Sequence, residues 1–63
     1  MRKYDIGQKI LWKTDDPDGI LCLNAEVVEI KENHVIAETR QNQNPIYNGI
    51  ILWIDDSTEE NFY

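Results

Sequence analysis

The chain is 63 residues long, enough for one domain (residues 1–63) and no more. Its hydrophobic fraction of 41% supports one core but not a core plus an enclosed ligand cavity, so any binding site is expected on the surface or in a shallow groove. Twelve acids against six bases give a net charge of −6, a field that repels nucleic acid and anionic lipid and favours basic partners.

The predicted elements follow in chain order. Gly7 precedes a first strand over residues 9–13, with Ile10 and Trp12 on one face and Lys9, Leu11 and Lys13 on the other. Thr14-Asp15-Asp16-Pro17-Asp18-Gly19 reads as a loop, because Pro17 stops pairing and Gly19 permits a positive φ. Residues 20–31 form a long second strand whose pattern changes phase. Ala25 and Val27 share one face, then Val28 and Ile30 continue on the opposite parity. One extra residue at Val27-Val28 restores the core face, which is the mark of a bulge at a barrel corner.

Glu32-Asn33 reads as a tight turn. The third strand, residues 34–40, places Val35, Ala37 and Thr39 on one face. Residues 41–49 are polar and punctuated by Asn-Pro and Asn-Gly, so a long projecting loop is expected. Residues 50–54, Ile-Ile-Leu-Trp-Ile, form a fourth strand whose unbroken apolar run implies contact on both faces. Ser57 with Glu60 fits a capping box, which predicts one helical turn over 58–62. Phe62 and Tyr63 then cover an open end of the barrel. Ile-Leu-Trp occurs twice, at 10–12 and 51–53, and is read as a coincidence of strand composition.

The elements resemble the SH3-like small barrels, and among them the Tudor-type modules. The resemblance is carried by Gly7-Gln8-Lys9-Ile10, by Ala25-Glu26-Val27-Val28-Glu29-Ile30, by the hairpin into Val35-Ile36-Ala37, and by a one-turn helix after the fourth strand. It implies an all-β barrel of four to five short antiparallel strands with a C-terminal helical turn. Tudor modules that read methylated side chains use an aromatic cage. Here Leu23 and Thr39 stand where cage aromatics are expected, leaving Trp12 and Tyr47 as two walls. The related nucleic-acid-binding barrels use basic loops, whereas these loops carry Asp15, Asp16, Asp18, Asp55 and Asp56.

No constellation points to catalysis. Cys22, the single cysteine, excludes an intramolecular disulfide and reads as a small buried hydrophobe in Ile20-Leu21-Cys22-Leu23. His34 reads as a strand-edge or turn residue, and two soft donors do not make a metal site. Aligning Gly19 to the sixth position of a calcium loop puts Thr14 first and Ala25 twelfth, so the end ligands fail. The chain is therefore expected to be non-enzymatic, without cofactor or metal. The N-terminus lacks a signal-like apolar stretch and no run reaches the length of a membrane span, which favours a cytoplasmic protein.

The aromatics carry the functional expectation. A small barrel leaves some of its rings exposed, and Trp and Tyr are favoured at interface hot spots. If Leu52 and Ile54 point inward, Trp53 and Ile51 point outward. The alternative is Trp53 packed beneath the C-terminal turn against Phe62. The leading expectation is a protein-interaction or accessory module, in the style of bacterial or phage proteins. It docks through Trp53, Tyr47, Trp12 and Leu11, with Asp15, Asp16, Asp55 and Asp56 as an acidic rim selecting a basic protein. A second reading is an acidic nucleic-acid mimic using Glu26, Glu29, Glu32, Glu38, Asp55, Asp56, Glu59 and Glu60. A third is nucleic-acid or ribosome binding through Arg2, Lys3, Lys9, Lys13 and Lys31, with Trp12 stacking on a base. An exposed edge strand could also pair two copies into a dimer.

Overall fold

β-branched and aromatic residues at alternate positions produce a four-stranded antiparallel sheet in a computed structural model that describes residues Met1–Tyr63. The strands are β1 (Lys9–Asp16), β2 (Gly19–Ile30), β3 (Val35–Thr39) and β4 (Ile51–Ile54), each paired to the next in sequence order. The sheet curls into a half-barrel. Two 3-10 turns, Pro45–Tyr47 and Glu59–Asn61, complete the structure. This is the all-β small barrel expected from the strand pattern, compatible with an SH3-like fold.

The inner face holds the core. Ile10, Ala25, Val27, Val35, Ala37, Leu52 and Ile54 are buried, with Tyr4 and Phe62 closing the ends. Thr39 is the one buried polar residue, and its Oγ1 accepts the Ile50 N–H at 2.9 Å. A polar group taken out of water with its partner supplied costs little.

The bulge falls where the phase change placed it. Val27 opposes Ala37, but the next ladder pair is Glu29 with Ile36, so Val28 is the extra residue. The bend lets the far half of β2 carry β3 and β4 over β1. Gly7, at φ 85°, takes the left-handed conformation that starts β1, donating its N–H to Val27 at 2.8 Å.

Several expectations need correction. β1 does not stop at Lys13. It pairs through Asp16 with Gly19, so Asp15 and Asp16 lie in a strand and only Pro17-Asp18 turn the chain. Cross-strand hydrogen bonding outweighs the loop-like composition here. The apolar run Ile20–Leu23 projects with this hairpin beyond the core, so only Leu23 is buried, and Cys22 is exposed. β4 is one-faced: Leu52 and Ile54 are buried while Ile51 and Trp53 are exposed. The Ser57–Glu60 capping box does not form. Thr58 occupies the N-cap without a side-chain cap bond, because Asp55 has already taken the Ser57 hydroxyl.

Residues 41–49 are braced rather than projecting. Asn42 Oδ1 accepts the Asn24 N–H at 2.8 Å, Asn42 Nδ2 donates to the Asn24 carbonyl at 3.1 Å, and Asn48 Oδ1 accepts the Asn42 N–H at 2.9 Å. The asparagines satisfy the backbone of the segment, and the chain reaches β4 lying against β2. Of the last two residues, Phe62 is buried as expected, whereas Tyr63 is exposed.

Candidate functional site

The site follows from the way the half-barrel fails to close. β1 and β4 are the two edges of the sheet, and the C-terminal segment reaches β1 only at its end. Leu11 and Tyr63 exchange both main-chain hydrogen bonds at 2.9 Å, and Trp12 faces Phe62 in an isolated bridge. Beyond this bridge an open groove of about 840 Å³ runs between β1 and β4. Trp12 and Asp15 stand on the β1 wall, Ile51 and Trp53 on the β4 wall. Leu52 and Phe62 contribute to its floor.

Trp53 is the dominant surface feature. It is 54% exposed, and Ile51 on the same strand face is 61% exposed. Its indole is nonetheless fixed in place. His34 stacks on one face, with ring centroids 3.5 Å apart and planes 9° from parallel, and Nε1 donates to Asp55 Oδ2 at 2.8 Å. Trp53 does not lie beneath the C-terminal turn against Phe62. The β4 alternation sends it to the outer face, where His34, preceding Val35 of β3, meets it.

Asp55 holds the turn after β4. Its Oδ1 accepts the Ser57 hydroxyl at 2.7 Å, the Ser57 N–H at 2.9 Å and the Thr58 N–H at 3.1 Å. The Ser57 hydroxyl, the Trp53 indole N–H and the Ser57 and Thr58 amides pull its pKa down to about 2. The carboxylate is thus committed to the turn and to the indole.

The N-terminus fastens the same region. Arg2 donates its backbone N–H and its Nε to Glu59 Oε1, at 2.6 and 2.9 Å, and Nη2 to the Phe62 carbonyl at 2.6 Å. The Tyr4 hydroxyl joins this cluster, donating to Glu59 at 3.1 Å. The Arg2 amide holds the Glu59 carboxyl below the usual carboxylate range, and burial pushes the Tyr4 hydroxyl up.

Of the side chains expected to act together, the groove gathers Trp53, Trp12 and Asp15. Tyr47 sits elsewhere, in a depression with Leu21–Asn24 and Asn42–Asn44. Leu11 lies on the outer face of β1 opposite Asn24, and Asp16 turns inward to accept the Asp18 N–H at 3.0 Å. Asp56 pairs with the N-terminal ammonium at 3.2 Å. Along the ladder the two acid pairs stand at opposite ends, Asp16 beside Gly19 and Asp55 just past the Val35–Ile54 pair. Two neighbours of the site were not expected there: His34, stacked behind the indole, and Glu60 on the groove's rim. His34 could have been found by following the face of Ile36, which pairs with Trp53, two residues back to the next side chain on that face.

The fold and the groove define a class: a small curled antiparallel sheet with an open, aromatic-walled edge and no cluster of three or more His, Cys, Asp or Glu placed to hold a metal ion. No family model, curated protein or solved structure matches this chain. No helix is long and apolar enough to cross a membrane.

Proposed function

We propose that this chain is a non-enzymatic protein-interaction module of the SH3-like, Tudor-related kind, acting in the cytoplasm. Its groove between β1 and β4 receives a basic segment of another protein. The observation that carries this reading is Trp53: a large ring, half exposed, held rigid from behind by His34 and at its edge by Asp55. An indole fixed before binding loses little rotamer entropy when a partner covers it, which is the usual requirement for a hot spot. Asp15 and Glu60 at the groove supply negative charge where the partner arrives. Such charge chiefly speeds encounter and excludes wrong partners.

The ion pairs favour this over mimicry of nucleic acid. A mimic needs a row of unneutralised carboxylates. Glu26 and Glu38 share Arg40, Glu29 meets Lys31, Glu59 meets Arg2, and Asp56 meets the N-terminal ammonium. The same pairs take Arg2 and Lys31 out of any basic patch for direct nucleic-acid binding.

Trp53→Ala tests the reading. Because the ring is exposed, its removal should cost about 1 kcal/mol or less of stability. The variant should keep a cooperative thermal transition within a few degrees of the parent, yet lose at least tenfold in affinity for the protein captured by the parent chain. A variant that unfolds, or that captures the same protein equally well, ends the proposal.

A further inference from the structure

The groove has the character of a missing strand. Traced back from the Phe62–Trp12 bridge, an extended Glu59–Asn61 would lie alongside Lys13 and Asp15. Those residues wind into a 3-10 turn instead, and β1 runs on past its neighbour as far as Asp16. The register then dictates which main-chain groups are left open. In an antiparallel ladder, alternate residues turn their N–H and C=O toward opposite neighbours. Leu11 turns its pair toward Tyr63, so Lys13 and Asp15 turn theirs the same way, into the groove, and neither finds a main-chain partner. On the opposite wall the Ile50 carbonyl accepts from Thr39, so Ile51 and Trp53 face away from β3. The Trp53 carbonyl is taken by the Thr58 hydroxyl at 3.0 Å, while Ile51 keeps both groups open.

Natural sheets usually blunt or cover such an edge, because it is a template for another strand. We propose that the groove binds its partner by strand addition: an extended, basic peptide segment pairs antiparallel with β1 at Lys13 and Asp15, in line with Phe62 and Tyr63. This specifies the mode of the docking proposed above and rests on it. Charge selects the occupant. Asp15 and Glu60 line the groove, and its one cation, Lys13, already lies 5.8 Å from the centroid of the Tyr63 ring. A second copy of this chain would bring a further −6 against the first, which works against self-pairing. In strand addition the main chain supplies affinity and alternate side chains supply specificity. The incoming segment therefore alternates apolar residues, set against Trp12 on the inner face, with Lys or Arg facing outward toward Asp15 and Trp53.

The test uses a blocked heptapeptide, Lys-Val-Arg-Val-Lys-Val-Arg, titrated into the full chain while amide hydrogen exchange is followed. The Lys13 and Asp15 amides should slow by at least about tenfold on binding, as newly bonded amides do. Two further peptides carry N-methyl groups on one or the other alternate set of amides. Only the set that faces β1 should weaken binding, by about tenfold or more. The counterpart with Glu in place of Lys and Arg should not bind. Binding with unchanged exchange at Lys13 and Asp15, equal loss from both N-methylated peptides, or no binding of any peptide overturns strand addition. The docking reading then stands or falls separately on the Trp53→Ala capture experiment. If the peptide-free chain sediments as a dimer with both amides already slow, the edge belongs to a second copy and the proposal is also lost.

Discussion

Asp55 is one residue with three attachments. Its carboxylate accepts from Ser57 and Thr58 of the turn that follows β4 and from the indole of Trp53. Its folded pKa, about 2, lies below the value of about 4 expected in the unfolded chain. The carboxylate's contribution to stability is therefore complete above about pH 4 and is lost as the pH falls toward 2. Glu59, held low by the Arg2 amide, loses its contribution in the same direction. We expect the thermal midpoint to drop through this window, with Trp53 fluorescence changing as the indole loses its acceptor. Asp55→Asn should start lower at neutral pH and lose less on acidification. Parallel acid profiles for the parent and the variant would show that the turn does not depend on the charge. Tyr47, another residue expected at the interface, lies in a separate depression instead. Its place follows from the asparagine brace, which no local pattern announces.

Among the elements, Val28 has the most to do with shape. Val27 and Glu29 oppose consecutive residues of β3, so removing Val28 leaves every later pair in register and every side chain on its face. Only the bend is lost. A chain lacking Val28 should keep its strand content by circular dichroism, yet melt at least several degrees lower, because β3 and β4 would no longer curl over β1. An unchanged midpoint would mean that the curl comes from elsewhere. The bulge was legible in the sequence because the apolar parity slips between Val27 and Val28, although the core face is not restored beyond it, where Ile30 is exposed. The alternation of Val35, Ala37 and Thr39 was legible because burial demands one apolar face. The first hairpin was not. Thr14–Gly19 has the composition of a loop, and the pairing of Asp15 with Ile20 and Asp16 with Gly19 is set by the partner strand rather than by local propensity. In the fourth strand the unbroken apolar run suggested contact on both faces, whereas the strand shows the parity that turns Leu52 and Ile54 inward and Ile51 and Trp53 outward. Ile51 and Trp53 look like core residues by type, and only the absence of a covering layer leaves them outside. The groove itself was illegible, since it depends on where the C-terminal turn lets the chain rejoin β1.

At the scale of the whole molecule, the body measures 34 × 21 × 14 Å, with the first hairpin extending past the core. A domain of this size has little apolar burial to spare, and without a disulfide it depends on end-to-end fastening. That fastening is the Arg2 cluster, where one side chain bonds Glu59 and the Phe62 carbonyl. It has a consequence for how the chain can be rewired. Arg2 already meets the Phe62 carbonyl, so residues 1 and 63 lie close enough for a short bridge to join them. Splicing those ends through a short Gly-Ser bridge and opening the chain instead at Glu32-Asn33 should give a circular permutant with the same pairing order and a cooperative melt. Failure of that permutant to fold would mean that the architecture needs an unbroken Glu32-Asn33 turn more than it needs the contact between Arg2 and Phe62.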